Sequence, residues 1–141
     1  MSKRNRRKRL PEPCERITIE SLSHDGRGVV HIDGKAVFID GALPGEEVAF
    51  EYLTTRRKFD EGRATEIHQP SPDRAVPPCV HFGVCGGCSL QHMEPAAQIR
   101  AKQGVLLDNF RHIGDVAPGE VLAPLSGPVT GYRTRARLGV R

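Results

Sequence analysis

Three of the chain's four cysteines stand between Cys79 and Cys88, spaced Cys79, five residues, Cys85, two residues, Cys88. No other feature restricts the fold so tightly. A Cys-x-x-Cys pair needs a tight turn to bring two sulfurs to one side. Gly86 and Gly87 fill that turn, where positive φ or a close backbone approach costs least. Cys79 can return over the same point as a third ligand. Thiolates held this way bind an iron–sulfur cluster or zinc, and both usually take four ligands. The candidates for the fourth are Cys14, His81, His92 or a cysteine beyond Arg141. Without a secretion signal, this spacing favours metal or redox chemistry over a disulfide or buried free thiols.

A length of 141 residues suits one ordinary domain or two small ones. Aromatic residues make up 5%, with no tryptophan, while glycine (15) and proline (11) are plentiful. That balance suits short strands and turns better than a helical bundle. The net charge of +4 conceals an uneven distribution. Lys3, Arg4, Arg6, Arg7, Lys8 and Arg9 crowd the start without an acid, and Arg133, Arg135, Arg137 and Arg141 do the same at the end. The stretch between is net acidic. Basic ends of this kind read as phosphate-contacting segments, and a disordered tail can serve as well as a folded one. No apolar run approaches the length of a membrane span. The basic start runs into Pro11-Glu12-Pro13 and not into an apolar segment, so it is not a signal peptide. A cytoplasmic, monomeric protein without membrane contact is expected.

Beyond a basic tail over 1–14, the pattern over 15–69 predicts five short antiparallel strands. Glu15 to Ser21 alternates, with Ile17 and Ile19 on one face. A glycine-rich loop, Ser23 to Gly28, leads to Gly28–Ile32. Asp33-Gly34 then signals a type I′ hairpin into Lys35–Ile39. Pro44-Gly45 marks a turn before Glu47–Thr55, and the loop Arg56-Arg57-Lys58 precedes Phe59–His68. So few strands suit a small closed barrel of the OB kind better than a sandwich. Arg56, Arg57, Lys58 and Arg63 gather on or near one hairpin and are expected to touch RNA phosphates. Phe38, Phe50 and Phe59 sit in strand patterns and are expected in the core. An exposed Phe59 beside the basic loop would instead argue for base stacking. His24, His31 and His68 show no ligand spacing.

A proline-rich linker, Gln69 to Pro78, ends the barrel. The region 70–114 then holds the cysteines and a helix, opened by Pro95 and closed by Gly114, with Ile99, Leu106 and Phe110 as its apolar stripe. It is expected to pack over the metal site. In the final region, 115–141, Gly131 to Leu138 alternates as a strand, with Arg133, Arg135 and Arg137 on one face. Such a face could meet folded RNA through phosphates and stacking. Because the sequence stops on this strand, a fragment of a longer protein is expected.

Several of these stretches resemble the RumA/RlmD-type uracil-C5 RNA methyltransferases. The carriers are Pro77-Pro78, His81-Phe82-Gly83-Val84, the cysteine spacing with Gln91-His92, and Tyr132-Arg133-Thr134-Arg135-Ala136-Arg137-Leu138. Asp25-Gly26-Arg27-Gly28-Val29, Val37-Phe38-Ile39 and Leu43-Pro44-Gly45-Glu46 resemble a TRAM domain, the RNA-binding barrel that begins those enzymes. The resemblance implies that Cys79, Cys85 and Cys88 are ligands of a [4Fe–4S] cluster, the family's fourth cysteine lying further along. It implies S-adenosylmethionine as methyl donor and RNA, 23S rRNA in particular, as partner. In the family a cysteine thiolate adds to C6 of the uracil, C5 takes the methyl group, and a carboxylate removes the C5 proton. None of those catalytic residues, and no glycine-rich cofactor loop, lies in this sequence. The chain alone is therefore expected to be inactive. The spacing of Cys79 and Cys85 differs from that of radical enzymes using the same cofactor, so the cluster is expected to be structural. Two other readings remain: a stand-alone RNA-binding module with a zinc site, told apart by its metal, and an electron-transfer protein, which would normally carry all its ligands in one compact domain.

Overall fold

Short alternating strands fill the first half of the chain, and in the computed structural model, which describes residues 10–135 and Arg137, they roll into one sheet. The strands are β1 (Cys14–Thr18), β2 (Ser21–Leu22), β3 (Gly28–Ile32), β4 (Lys35–Asp40), β5 (Glu47–Thr55) and β6 (Phe59–Gln69). Five were expected and six form, because the first one breaks in the middle. The Ile19 amide donates to the Glu46 carbonyl and the Glu20 amide to the Val29 carbonyl, both at 2.9 Å. β1 thus pairs with β5, and β2 with β3. The sheet order is β1-β5-β6-β4-β3-β2. One bent strand occupies both edges and closes the OB-like barrel, leaving few unpaired edge groups.

The remaining connections follow their turn chemistry. Asp33 and Gly34 have φ of 51° and 76°, the paired positive values of a type I′ turn, and set the β3–β4 register at Ile32 opposite Lys35. β4 and β6 run parallel, while β5 and β6 form the long antiparallel pair, with register shifts that curve it around the barrel. Alternate residues point inward: Ile19, Val30, Val37, Ile39, Ala42, Val48 and Phe50 make the core. At Gly62 the barrel admits no side chain. A Cβ there would stand 2.7 Å from the Phe50 ring and 2.8 Å from the Glu51 carbonyl.

The chain from Pro70 onward does not form a body apart from the barrel. Arg74 and Met93 make an antiparallel bridge. Beside it the Ala75 amide donates to the His92 carbonyl (2.9 Å) and the Glu94 amide to the Asp73 carbonyl (2.8 Å). The cysteine segment is therefore a loop stapled at its base. The staple is fixed to the barrel by Glu46, which is fully buried. Its carboxylate accepts from the Leu43 amide (2.8 Å), the Ser71 amide (3.0 Å), Arg74 Nη2 (2.7 Å) and Arg74 Nε. Arg74 Nη2 also reaches the Gly41 carbonyl at 2.7 Å. A small second core, Leu43, Met93 and Ala97 with Leu22 and Ala101 at its edge, seats the helix α1 (Pro95–His112) on the barrel.

Two expectations change here. The seat of α1 is the alanine face Ala97–Ala101, because only small side chains allow this close approach. The stripe anticipated to pack leaves Leu106 and Phe110 largely exposed, bordering the segment Pro118–Leu125. The strand anticipated over Gly131–Leu138 is likewise not formed by its described residues, Gly131 to Arg135 and Arg137. A strand needs a neighbour for its hydrogen bonds, and no other segment lies paired with it among the described residues. The basic run Lys3 to Arg9 lies outside the described residues.

Two outcomes follow from this packing. Gly62→Ala should destabilise the barrel by about 1–3 kcal/mol through overpacking, read as a lower denaturant midpoint at unchanged slope. Burial disfavours ionised Glu46, but Arg74 and the Ser71 and Leu43 amides outweigh it and hold its carboxyl below the ordinary value. With the folded value depressed, the clamp contributes fully above the ordinary glutamate pKa of about 4.3 and is lost as pH falls through the folded value. Hydrogen exchange at the Ala75 and Glu94 amides should accelerate first on acidification. Arg74→Met should reproduce that acceleration at neutral pH, with a loss of roughly 3 kcal/mol for stranding a buried carboxylate.

Candidate functional site

Asp60 governs the basic hairpin. It is buried in β6, accepts from the Arg56 amide (3.2 Å) and pairs with Lys35 Nζ at 2.6 Å. The Arg56 amide also donates to the Phe59 carbonyl at 3.0 Å. The turn so fixed holds Arg56, Arg57 and Lys58 in solvent, with Arg63 exposed further along β6. Among the described residues Arg57, Lys58 and Arg63 make no ion pair. The expected gathering of cations on one hairpin is present.

On the outer wall beside it, the aromatic residues depart from expectation. Only Phe50 enters the core; Phe38 and Phe59 are half-buried and face outward. Val37 and Ile39 point inward, so Phe38 between them must point out. The parallel pairing of β4 and β6 then brings the two rings together, with centroids 5.6 Å apart and edge to face at 87°. Arg27 lies over Phe38 at 4.8 Å and Arg56 over Phe59 at 5.6 Å. Glu61 stands between the two guanidinium groups, 3.2 Å from Arg27 Nη1 and 3.5 Å from Arg56 Nε.

Arg27 owes its position to the glycine-rich loop. Its amide donates to Ser23 Oγ (2.9 Å), which in turn donates to the Arg27 carbonyl (3.0 Å), and Asp25 receives Arg27 Nε at 2.9 Å. Burial opposes ionisation of Asp25, but Ser23 and Arg27 prevail and lower its pKa. Gly26, at φ 88°, lets the loop pass beneath Leu90, which a Cβ would meet at 3.0 Å. Sequence reasoning missed Arg27 and Phe38, although the period-two pattern around Phe38 carried the signal.

Across a cleft of about 770 Å³ from Arg27 and Arg63 lies the cysteine loop. All four cysteines are free. Cys85 and Cys88 are exposed and Cys79 half-buried, on turns where Gly83 and Gly86 take φ of 81° and 71°. The Cys79 amide donates to Gln91 Oε1 at 3.3 Å, and the Gly87 amide points at Cys85 Sγ at 3.4 Å. Amide donation to sulfur is what an iron–sulfur or zinc thiolate uses to spread its charge, so the donor set suits either metal. Among the described residues, however, no three His, Cys, Asp or Glu side chains are gathered to hold a metal ion. Cys14 belongs to β1 and packs at the margin of the barrel core. His81 is exposed, its carbonyl accepting the Val84 and Cys85 amides at 3.1 Å.

His92 is buried against Phe82, with ring centroids 5.3 Å apart, and neither ring nitrogen has a hydrogen-bond partner. Burial first, and then the Arg74 charge, lower its pKa, with Glu46 opposing. The imidazole is thus held neutral between the cysteine loop and the Glu46–Arg74 clamp. Toward the end of the chain, Arg133 and Arg135 are exposed, with Arg133 lying over Tyr132 at 5.9 Å. They share no strand face with Arg137.

Comparison with known proteins places these features in one setting. Residues 14–65 match the TRAM domain family. The chain is 60% identical over 136 residues to the 23S rRNA (uracil(1939)-C(5))-methyltransferase RlmD of Alcanivorax borkumensis, covering 96% of this chain and 31% of that protein. The RlmD of Nitrosococcus oceani is 54% identical, with 100% of this chain and 32% of the relative covered. For Methylococcus capsulatus the values are 53%, 97% and 31%. The chain thus spans about a third of the length of the curated relatives it matches. No helix among the described residues is long and apolar enough to cross a membrane. Over that third, and with a TRAM domain at residues 14–65, the chain belongs to the RlmD-type 23S rRNA (uracil-C5)-methyltransferases.

Proposed function

We propose that this chain is the RNA-binding and [4Fe–4S]-binding part of an S-adenosylmethionine-dependent methyltransferase that acts on uracil C5 of 23S rRNA. No step of the methyl transfer is assigned to its residues, and the methyl donor is taken to bind elsewhere in the enzyme. The observation that carries the reading is the pairing of a cation-tipped TRAM barrel with a three-cysteine loop stapled to its rim. Barrels of the OB kind take oligonucleotides on one wall and its flanking loops, and Arg56, Arg57, Lys58 and Arg63 supply phosphate partners there. Arg133, Arg135 and Arg137 add cations beyond the helix.

In this reading the chain divides into a tail (1–14), the barrel (15–69), the cysteine loop with its helix (70–114) and the opening of a further region (115–141). Cys79, Cys85 and Cys88 would hold the cluster, whose part is to stiffen the loop and not to move electrons. The protein works as a cytoplasmic monomer.

Two measurements test the assignment. Anaerobically purified protein should contain iron and acid-labile sulfide and lose its colour in Cys85→Ser, while the barrel amides stay protected. Zinc without sulfide would replace the cluster reading with the zinc-module one. Replacing Arg56, Arg57 and Lys58 together by serine should weaken binding to a 23S rRNA fragment. It should also flatten the slope of log affinity against log salt by about 0.7 for each phosphate that is no longer neutralised. An unchanged slope would remove the hairpin from the interface.

A further inference from the structure

We propose that Phe38 and Phe59, with the guanidinium groups lying on them, form a stacking station for unpaired bases of single-stranded RNA. This rests on the RNA-binding reading above and adds to it a mode of recognition that phosphate contacts alone cannot provide.

The two rings occupy the outer wall of the parallel pair β4–β6, where no part of the barrel core requires them. A half-buried phenylalanine in such a position leaves apolar area in water that an occupant could cover. Each ring already carries a planar cation, Arg27 at 4.8 Å and Arg56 at 5.6 Å. The two cations differ in freedom. Arg27 is 25% exposed and held by both Asp25 and Glu61; Arg56 is 58% exposed and held only by the longer 3.5 Å contact with Glu61. Arg27 is therefore a fixed part of the wall. Arg56 is its movable end, able to stack a base on its outer face or swing aside and leave Phe59 to the base. Nucleobases stack on aromatic rings and on guanidinium planes alike.

The charge around the station selects the strand that carries those bases. Glu61 and Asp25 neutralise Arg27, whereas Arg57, Lys58 and Arg63 flank the rings without carboxylate partners among the described residues. Phosphates on either side of a stacked base would meet those three cations. A duplex cannot use the station, because its bases are already stacked on one another.

The test uses the whole 141-residue chain and a short single-stranded oligoribonucleotide carrying one 2-aminopurine, whose fluorescence is quenched on stacking. The wild type should bind and quench it. Phe59→Leu, which keeps an apolar group in the strand, should bind about tenfold more weakly, with quenching abolished and the salt slope unchanged. Phe59→Tyr should restore both. The inference is overturned if Phe59→Leu binds and quenches like the wild type, or if an A-form RNA duplex binds as tightly as the single strand. A wild-type chain that binds no RNA overturns the RNA-binding reading itself. Should Phe59→Leu prove unstable, Arg56→Gln serves instead: it should lower quenching beyond what removing one charge explains, and a change confined to the salt slope would overturn the station.

Discussion

A single buried carboxylate joins the two halves of this structure. Glu46 belongs to the turn that leads into β5, yet most of its hydrogen bonds come from the linker that follows β6. A charge at such depth is tolerable only when its lone pairs are satisfied, and here amides from both segments and a guanidinium satisfy them. Everything beyond Pro70 takes its position from that contact. Arg74 carries the bridge to Met93, the bridge sets the base of the cysteine loop, and Met93 with Ala97 seats the helix. The orientation of the thiols relative to the barrel wall is thus decided inside the barrel and not in the loop.

How much of this could be read from the chain depends on the range of the interactions. The barrel strands and the Asp33-Gly34 turn were legible because alternation and turn chemistry are local. The split of the first strand was not, since Ile19 and Glu20 choose different partners, in Glu46 and Val29, far along the chain. Phe38 could have been placed outside from its neighbours alone; its pairing with Phe59 needed the parallel register of β4 and β6. The Glu46–Arg74 clamp left no sequence signal. Nor did the helix reveal its seat. Its large apolar residues formed the visible stripe, and the two alanines that make contact look ordinary in sequence. The cysteine spacing announced a thiolate site, but spacing does not say where a fourth donor comes from.

The barrel wall and the loop answer to different chemistry. The wall presents planar groups and unpaired cations on rigid strands, so its geometry is set before any ligand arrives. The loop presents sulfur on glycine turns around a buried, unpartnered imidazole. Its geometry is held firmly at the base and loosely at the tip, as a segment completed by a bound group would require.

The clamp also imposes an order on folding. Once the chain through Gln69 is free, β6 can close the barrel, but closure buries the Glu46 carboxylate before its cation is in place. Arg74 follows only a few residues later. During synthesis the newly closed barrel would briefly hold an uncompensated acid, relieved as the linker emerges and folds back over the rim. The linker therefore acts as the latch of the barrel, and its arrival fixes both the end of barrel formation and the start of the thiol loop.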